Sequence, residues 1–317
     1  MLSRTADNLY WLARYMERAD FLARLIDATR RLTAVPTSQT GSGTEWDSTL
    51  EASGAAEGFH ATHAAAEEAN VVDYLMFSTD NPSSIRNCIE KARTNGRAVR
   101  TALTVEMWDA INGAWIELKR HVMSNARGYD REQSTRFLEF VKKASLDYDG
   151  AAHRTMLRND AYWFSRLGLY IERADNTARI LDVKYNILLP ETEAIGGSVD
   201  YFQWAAILRA VSALTAYHWV YRASLKPWLI ADLLILRSEM PRSLIACYDN
   251  IVRFLDAIGK AYGHKGASQR HAHTVLARLM GSSTKEIFQS GLHEFVTAFV
   301  EDNTRLGAMV GEQYLFN

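Results

Sequence analysis

Five prolines and two cysteines in 317 residues leave little with which to break helices or to staple a fold. The two thiols, Cys88 and Cys247, exclude a disulfide framework, and no Cys or His spacing matches a zinc site. An excess of one charge is missing as well. Lys plus Arg number 36 against 37 for Asp plus Glu, so no basic field exists to attract nucleic acid or an anionic membrane. No apolar run approaches the roughly 20 residues that a bilayer span requires. The opening residues, Met1 to Asp7, carry no apolar signal core. A soluble cytoplasmic protein with no nucleic-acid or membrane partner is therefore expected. Alternating strand patterns bounded by turns are absent too, whereas Ala, Leu, Arg and Glu are common, so the expected fold class is all-α.

Signatures of several chemistries are also wanting. Gly281 to Lys285 lacks the glycine directly before lysine that a phosphate loop needs, and no Gly-x-Ser-x-Gly elbow occurs. A di-iron bundle needs Glu-x-x-His on two helices. Glu57 and His60, with His63 nearby, provide that spacing once, across Gly58, and nothing in the second half answers it. No metal or cofactor is expected.

What the chain does have is an echo. Residues 15–20, Tyr-Met-Glu-Arg-Ala-Asp, return at 170–175 as Tyr-Ile-Glu-Arg-Ala-Asp. Without gaps, residues 12–27 and 167–182 agree at 9 of 16 positions, where unrelated segments of ordinary composition agree at roughly one. Further matches keep order and spacing: Trp46 and Leu50 with Trp204 and Leu208, Asp73 and Leu75 with Asp232 and Leu234, and Pro82, Ser84 and Cys88 with Pro241, Ser243 and Cys247. Each copy implies its own supersecondary unit. The expectation is two pseudo-repeated helical bundles of about 155–160 residues packed together, 1–150 and 151–317, as two domains or one continuous globule. The paired cysteines are then small core residues at equivalent positions.

Residues 2–32 contain neither Gly nor Pro and read as one long helix, ended by Pro36. A second helix covers 46–76, weakened in its middle by Gly54 and Gly58. Asn81-Pro82-Ser83-Ser84 opens a third, with proline near its first turn, running to about Leu103. Thr104 caps the next, which Arg127-Gly128 ends, and another covers 131–144. The motif helix recurs from Met156 to Pro190, and a loop with Gly196-Gly197 follows. Helical stretches then cover 201–221, 226–236, 241–262, 269–280 and 284–309.

On a helix at 100° per residue, Glu17, Asp20, Arg24 and Asp27 fall within an arc of about 80°. The rest of that helix is largely apolar or small, so the stripe is more than its solvated side. Asp20 and Arg24 are an acid-then-base pair four apart, and Arg24 and Asp27 lie three apart. Glu172, Asp175, Arg179 and Asp182 repeat the pattern. Arg18 and Arg173 point away from their glutamates, toward another helix or a carboxylate of the other half. Two readings stand. One is a structural ion-pair network that clamps the motif helices. The other is a polar pocket between the halves for a cationic or amide-bearing ligand. Duplication favours structure, because a catalytic centre seldom needs the same quartet twice.

The opening stretch through Asp20 resembles the alpha-E family, an all-helical bacterial family named for its Glu-Arg motif. The resemblance covers essentially the whole chain. It includes Asn81-Pro82-Ser83-Ser84, the run Arg93, Asn95, Arg97 and Arg100, the Glu106-x-Trp108-x-x-x-Asn112 block, Gln203-Trp204, and Met240-Pro241-Arg242-Ser243. Thr94 and Gly96 stand where the family usually has Glu and Ala. Arg14 keeps an arginine that the second motif replaces by Leu169, which calls strict symmetry of the two motif sites into question. The resemblance implies a circularly permuted ATP-grasp protein as partner, within an amide-ligase system that makes or modifies peptides. It marks Arg14, Arg93, Asn95, Arg97, Arg100, Gln203, Trp204 and Arg242 as further site candidates. The leading expectation is a non-catalytic module that docks on that ligase and holds its peptide or amino-acid substrate. The alternatives are an enzyme whose inter-repeat cleft uses Glu17, Glu172 and nearby arginines on an amide or amine, and a self-associating homo-oligomeric scaffold.

Overall fold

The computed structural model describes residues 1–34, 44–124, 130–187 and 198–316. Expected breaks at Pro36, Arg127-Gly128, Pro190 and Gly196-Gly197 lie outside these. With no Gly or Pro to interrupt it, the first segment forms a single helix, α1 (Ser3–Thr33). The first half continues with α2 (Thr44–Ser53), α3 (Ala56–His60), α4 (Glu68–Met76), α5 (Ile85–Ala98), α6 (Val105–Ser124) and α7 (Arg131–Thr155). The second half comprises α8 (Asp160–Ile187), α9 (Ser198–Ala210), α10 (Leu214–Tyr221), α11 (Pro227–Ala231), α12 (Leu244–Tyr262), α13 (Ala267–Gly281), α14 (Thr284–Ser290) and α15 (Leu292–Tyr314). No strand occurs among the described residues, so the chain is all-α. None of their helices is long and apolar enough to cross a membrane.

The motif helices α1 and α8 lie side by side at the centre and run in the same direction. The amino group of Met1 meets Asp160, the first residue of α8, at 3.1 Å, and Tyr10, Arg14 and Glu17 face Gly168, Glu172 and Arg173 in step. Helices α5 and α7 flank α1 as α12 and α15 flank α8, and α6 joins α5 to α7 as α13 joins α12 to α15. The shorter helices cross over: α2 packs more on α8 than on α1, and α9 more on α1 than on α8. One large apolar core takes residues from both halves, from Leu22, Trp46 and Cys88 to Trp204, Cys247 and Val310. Each large aliphatic or aromatic side chain buried there contributes about 1.5–3 kcal/mol. At Gly168 the two motif helices touch backbone to backbone. A methyl group there would sit 2.2 Å from the Tyr10 carbonyl oxygen, so only glycine permits the approach.

Local chemistry repeats with the architecture. The Ser84 and Ser243 hydroxyls cap α5 and α12 by accepting from the N–H groups of Asn87 and Ala246. The paired Trp46 and Trp204, and Cys88 and Cys247, are all buried.

Several expected boundaries shift for identifiable reasons. Gly54 takes a left-handed φ of 68° and ends α2 outright, so 46–76 becomes three helices. Ser212, φ 56°, divides 201–221 in the same way, and Gly291, φ 94°, divides 284–309. Pro82 lies two residues ahead of the Ser84 cap rather than inside the helix. The boundary expected after residue 150 falls inside α7, whose pattern runs on to Thr155, so the halves meet in the turn before α8.

Candidate functional site

The charges of the two motifs cross over between α1 and α8. Arg173 donates from Nε and Nη2 to the two carboxylate oxygens of Glu17 at 3.0 and 2.9 Å. Arg18 makes the same fork to Glu172 at 2.6 and 3.1 Å. Each glutamate then takes a second guanidinium, and here the copies part. Glu17 accepts from Arg242 Nη1 at 2.8 Å, whereas Glu172 accepts from Arg14 Nε at 2.8 Å. The residue matching Arg14 is the buried Leu169, and the residue matching Arg242 is Ser83, whose hydroxyl receives Arg18 Nη1 at 3.2 Å. The loss of one arginine from each copy at a different place leaves both carboxylates with two. The arginine missing at Leu169 is thus compensated by Arg242 from the loop before α12.

Glu17 and Glu172 are each 2 % exposed. Burial alone would raise their pKa values, but Arg173 and then Arg242 outweigh it at Glu17, and Arg18 and then Arg14 do so at Glu172. Both are held at about 2. A carboxylate locked in two ion pairs and ionised throughout the neutral range has no proton to give and little basicity. These residues fasten two helices. Burial pushes the Cys88 and Cys247 thiols up to about 12, which makes them poor nucleophiles.

Further along the motif the copies diverge more. Buried Asp20 accepts from Arg24 Nε at 2.7 Å and from Arg242 Nη2 at 2.9 Å. Arg24 Nη1 continues to the Ala210 carbonyl at 3.2 Å and the Ser212 hydroxyl at 2.9 Å, at the break between α9 and α10. In the second copy Arg179 Nε pairs with Asp175 at 2.6 Å. Gly54 is the counterpart of Ser212. Both have positive φ, and the Ala55 N–H reaches the Leu50 carbonyl at 2.9 Å as the Ala213 N–H reaches that of Leu208 at 2.7 Å. Gly54 has no hydroxyl to offer, so Arg179 Nη1 and Nη2 have no hydrogen-bond partner among the described residues.

Space opens where those partners are missing. A pocket of about 200 Å³ is lined by Arg18, Gly54, Ser83, Asp175, Asn176 and Arg179. The Asn176 side-chain nitrogen is buried without a partner. A larger pocket of about 600 Å³ lies between α1, α8 and α15, with Arg14, Arg18 and Arg179 on one side and Tyr10, Trp11 and Phe316 among its apolar walls. A third, about 410 Å³, adjoins Arg179, Asp182 and His293.

Of the stripe residues, Glu17, Arg18, Asp20, Arg24, Glu172 and Arg173 are joined in the clamp and its extension, while Asp175 and Arg179 border the pockets. Asp27 and Asp182 do not pair with Arg24 and Arg179 as the spacing suggested. Helical side chains lean toward the N-terminus, which turns each arginine back onto the carboxylate four residues earlier. Asp27 instead meets Arg31 and Lys142, each at 3.4 Å, and Asp182 meets His293 at 2.6 Å. Glu17, Asp20 and Glu172 are not open to a cationic ligand, because paired arginines already occupy them.

Arg14 and Arg242 join the clamp. Arg93, Asn95, Arg97 and Arg100 instead belong to the α5–α6 side: Arg93 donates to Asn112 at 3.0 Å and lies over Trp115, and Arg100 lies over Trp108. Gln203 and Trp204 are buried on α9. Among the described residues no group of three His, Cys, Asp or Glu is placed to hold a metal ion. His60 meets Asp47 at 3.3 Å, and His63 stacks on Phe59. The contributions of Ser83, Ser212 and the α15 wall escaped sequence reasoning. The spacing of Gly307 and Gly311, four apart on a helix, was the signal for that wall.

A family model, Alpha-E, described as a predicted alpha-helical domain with a conserved ER motif, matches residues 1–315. The Glu-Arg pairs of this chain are Glu17-Arg18 and Glu172-Arg173, the residues that cross between α1 and α8. No curated protein and no solved structure matches the chain.

Proposed function

The chain belongs to the Alpha-E family, and on that premise we propose that it is a non-catalytic, substrate-holding module of an ATP-grasp amide-ligase system. The ATP chemistry belongs to the partner enzyme. This chain supplies a rigid helical body and a place where the ligase's peptide or amino-acid substrate is held. One observation carries the reading: Glu17 and Glu172, the best acid–base candidates, are both locked in crossed, two-arginine ion pairs inside the interface. Groups committed in this way build a frame rather than turn over a substrate.

The test is co-purification with the circularly permuted ATP-grasp protein, followed by assays of amide formation with and without this chain. The expected result is a stable complex whose substrate choice or KM changes when the chain is present. A ligase that neither binds this chain nor responds to it overturns the proposal. Turnover of an amide or amine by this chain alone, abolished in Glu17→Gln at unchanged melting temperature, would favour the enzyme instead.

A further inference from the structure

The geometry points to the pocket between α1, α8 and α15 as a binding site for an organic carboxylate with an apolar or aromatic body, such as the C-terminal end of an amino acid or short peptide. The inference rests on the substrate-holding reading for the ligand's role and draws its chemistry from the pocket. Three observations combine.

The first is a set of uncommitted donors. Arg179 uses only Nε on Asp175, and Arg14 uses Nε on Glu172 and Nη1 on the Tyr10 hydroxyl. Arg179 Nη1 and Nη2 and Arg14 Nη2 therefore have no protein partner among the described residues. Arginine's planar fork matches a planar carboxylate. The second is the charge. Arg14, Arg18 and Arg179 stand against Glu172 and Asp175, so one positive charge is in excess. That excess suits a monoanion rather than a phosphate dianion.

The third is shape. At about 600 Å³ the pocket lies within the usual range for small-ligand sites. Its room comes from Gly307 and Gly311. A methyl group at Gly307 would already reach Arg14 Nη1 at 3.4 Å and the Tyr10 hydroxyl at 3.6 Å. The Trp11 ring, held at 4.7 Å from the Arg14 guanidinium carbon, offers a flat wall beside the charged one.

The experiment uses the full chain alone, so that its failure is separable from a failure of the ligase partnership. Saturation-transfer NMR is run on a panel of N-acetyl-amino acids, the matching amides, and short peptides with free or amidated C-termini. Calorimetry is then run on the best binder and on inorganic phosphate. Free carboxylates with aromatic or aliphatic side chains are expected to bind and the amides not to. Arg179→Gln is expected to weaken binding roughly tenfold or more, and Gly307→Leu to abolish it by filling the space. Arg179 is one-third exposed with a single partner, so its variant is expected to keep the wild-type melting temperature. No binding by any member of the panel, equal binding of amides and acids, phosphate binding in place of carboxylate, or affinity unchanged in both variants would each overturn the inference.

Discussion

Arg24 and Arg179 occupy matching positions in two copies of one motif, yet Arg24 is sealed by Asp20, Ala210 and Ser212 while Arg179 keeps only Asp175. The inner halves of the motifs, Glu17-Arg18 and Glu172-Arg173, are interchangeable in geometry. The outer halves are not. Two substitutions account for the difference: Gly54 for Ser212 and Ser83 for Arg242. The lesson is that a duplicated frame frees one of its copies. Once the crossed glutamates fix α1 against α8, the second copy can lose its internal partners without loss of the fold, and the vacated donors become available to a ligand.

Acid attacks both clamps together and gives the largest expected effect. Each glutamate titrates at about 2 in the folded chain against an ordinary 4.5. The pKa values are lowered, so the stabilisation is fully present above about pH 4.5 and is lost as pH falls from there toward 2. Unfolding free energies measured by urea titration between pH 6 and 2 should fall steeply in that window. Glu17→Gln and Glu172→Gln should each remove about one proton from the slope. A slope altered by only one of them would mean that the inner halves are not equivalent after all.

At neutral pH the same variants test the frame itself. Glu17→Gln removes the fork that holds Arg173 in a buried seam, leaves Arg173 only the more distant Asp149 and Arg242 only Asp20, and should cost about 3–5 kcal/mol. Glu172→Gln should cost less, because Arg14 and Arg18 border the open pocket, where water can solvate them. Thermal unfolding checks both. An unchanged melting temperature in Glu17→Gln would remove the clamp as an explanation.

The outer halves separate at a smaller scale. Arg24→Gln deletes three polar contacts and should cost about 2 kcal/mol, whereas Arg179→Gln should stay within about 0.5 kcal/mol. Equal costs would break the distinction between a sealed and an open copy.

The all-helical class and the crossing of Arg18 and Arg173 to another element were legible in the sequence, because each depends on periodicity along one helix. Gly and Pro were harder to weigh. Gly54 reads as a weak point in a helix until its left-handed backbone is seen, and Ser212 gives no warning of the same conformation. The open pocket was illegible for a different reason. It depends on what Gly54 and Ser83 fail to supply to α8 and on the small side chains of α15, which approach from distant parts of the chain. Helical spacing placed Arg24 within reach of both Asp20, four residues before it, and Asp27, three after it, and only the lean of helical side chains decides for Asp20.

The smallest expected effect lies at the ends of the stripes. Asp27 is paired with Lys142 of α7 and with Arg31. Its counterpart Asp182 is paired with the imidazole of His293 on α15. The Asp182 carboxylate, accepting from the imidazole, raises the His293 pKa above 6.5. A raised value means that the pair's contribution is fully present below the unfolded pKa and fades as pH rises through the folded one. The His293 side chain is 38 % exposed, so solvent screening limits the contribution to a few tenths of a kcal/mol. NMR titration of the His293 ring between pH 5 and 9 should give a midpoint above 6.5, and Asp182→Asn should return it toward that value. A midpoint at or below 6.5 in the unaltered chain, or one unmoved by Asp182→Asn, would show that this end of the second copy is no more pH-sensitive than the first.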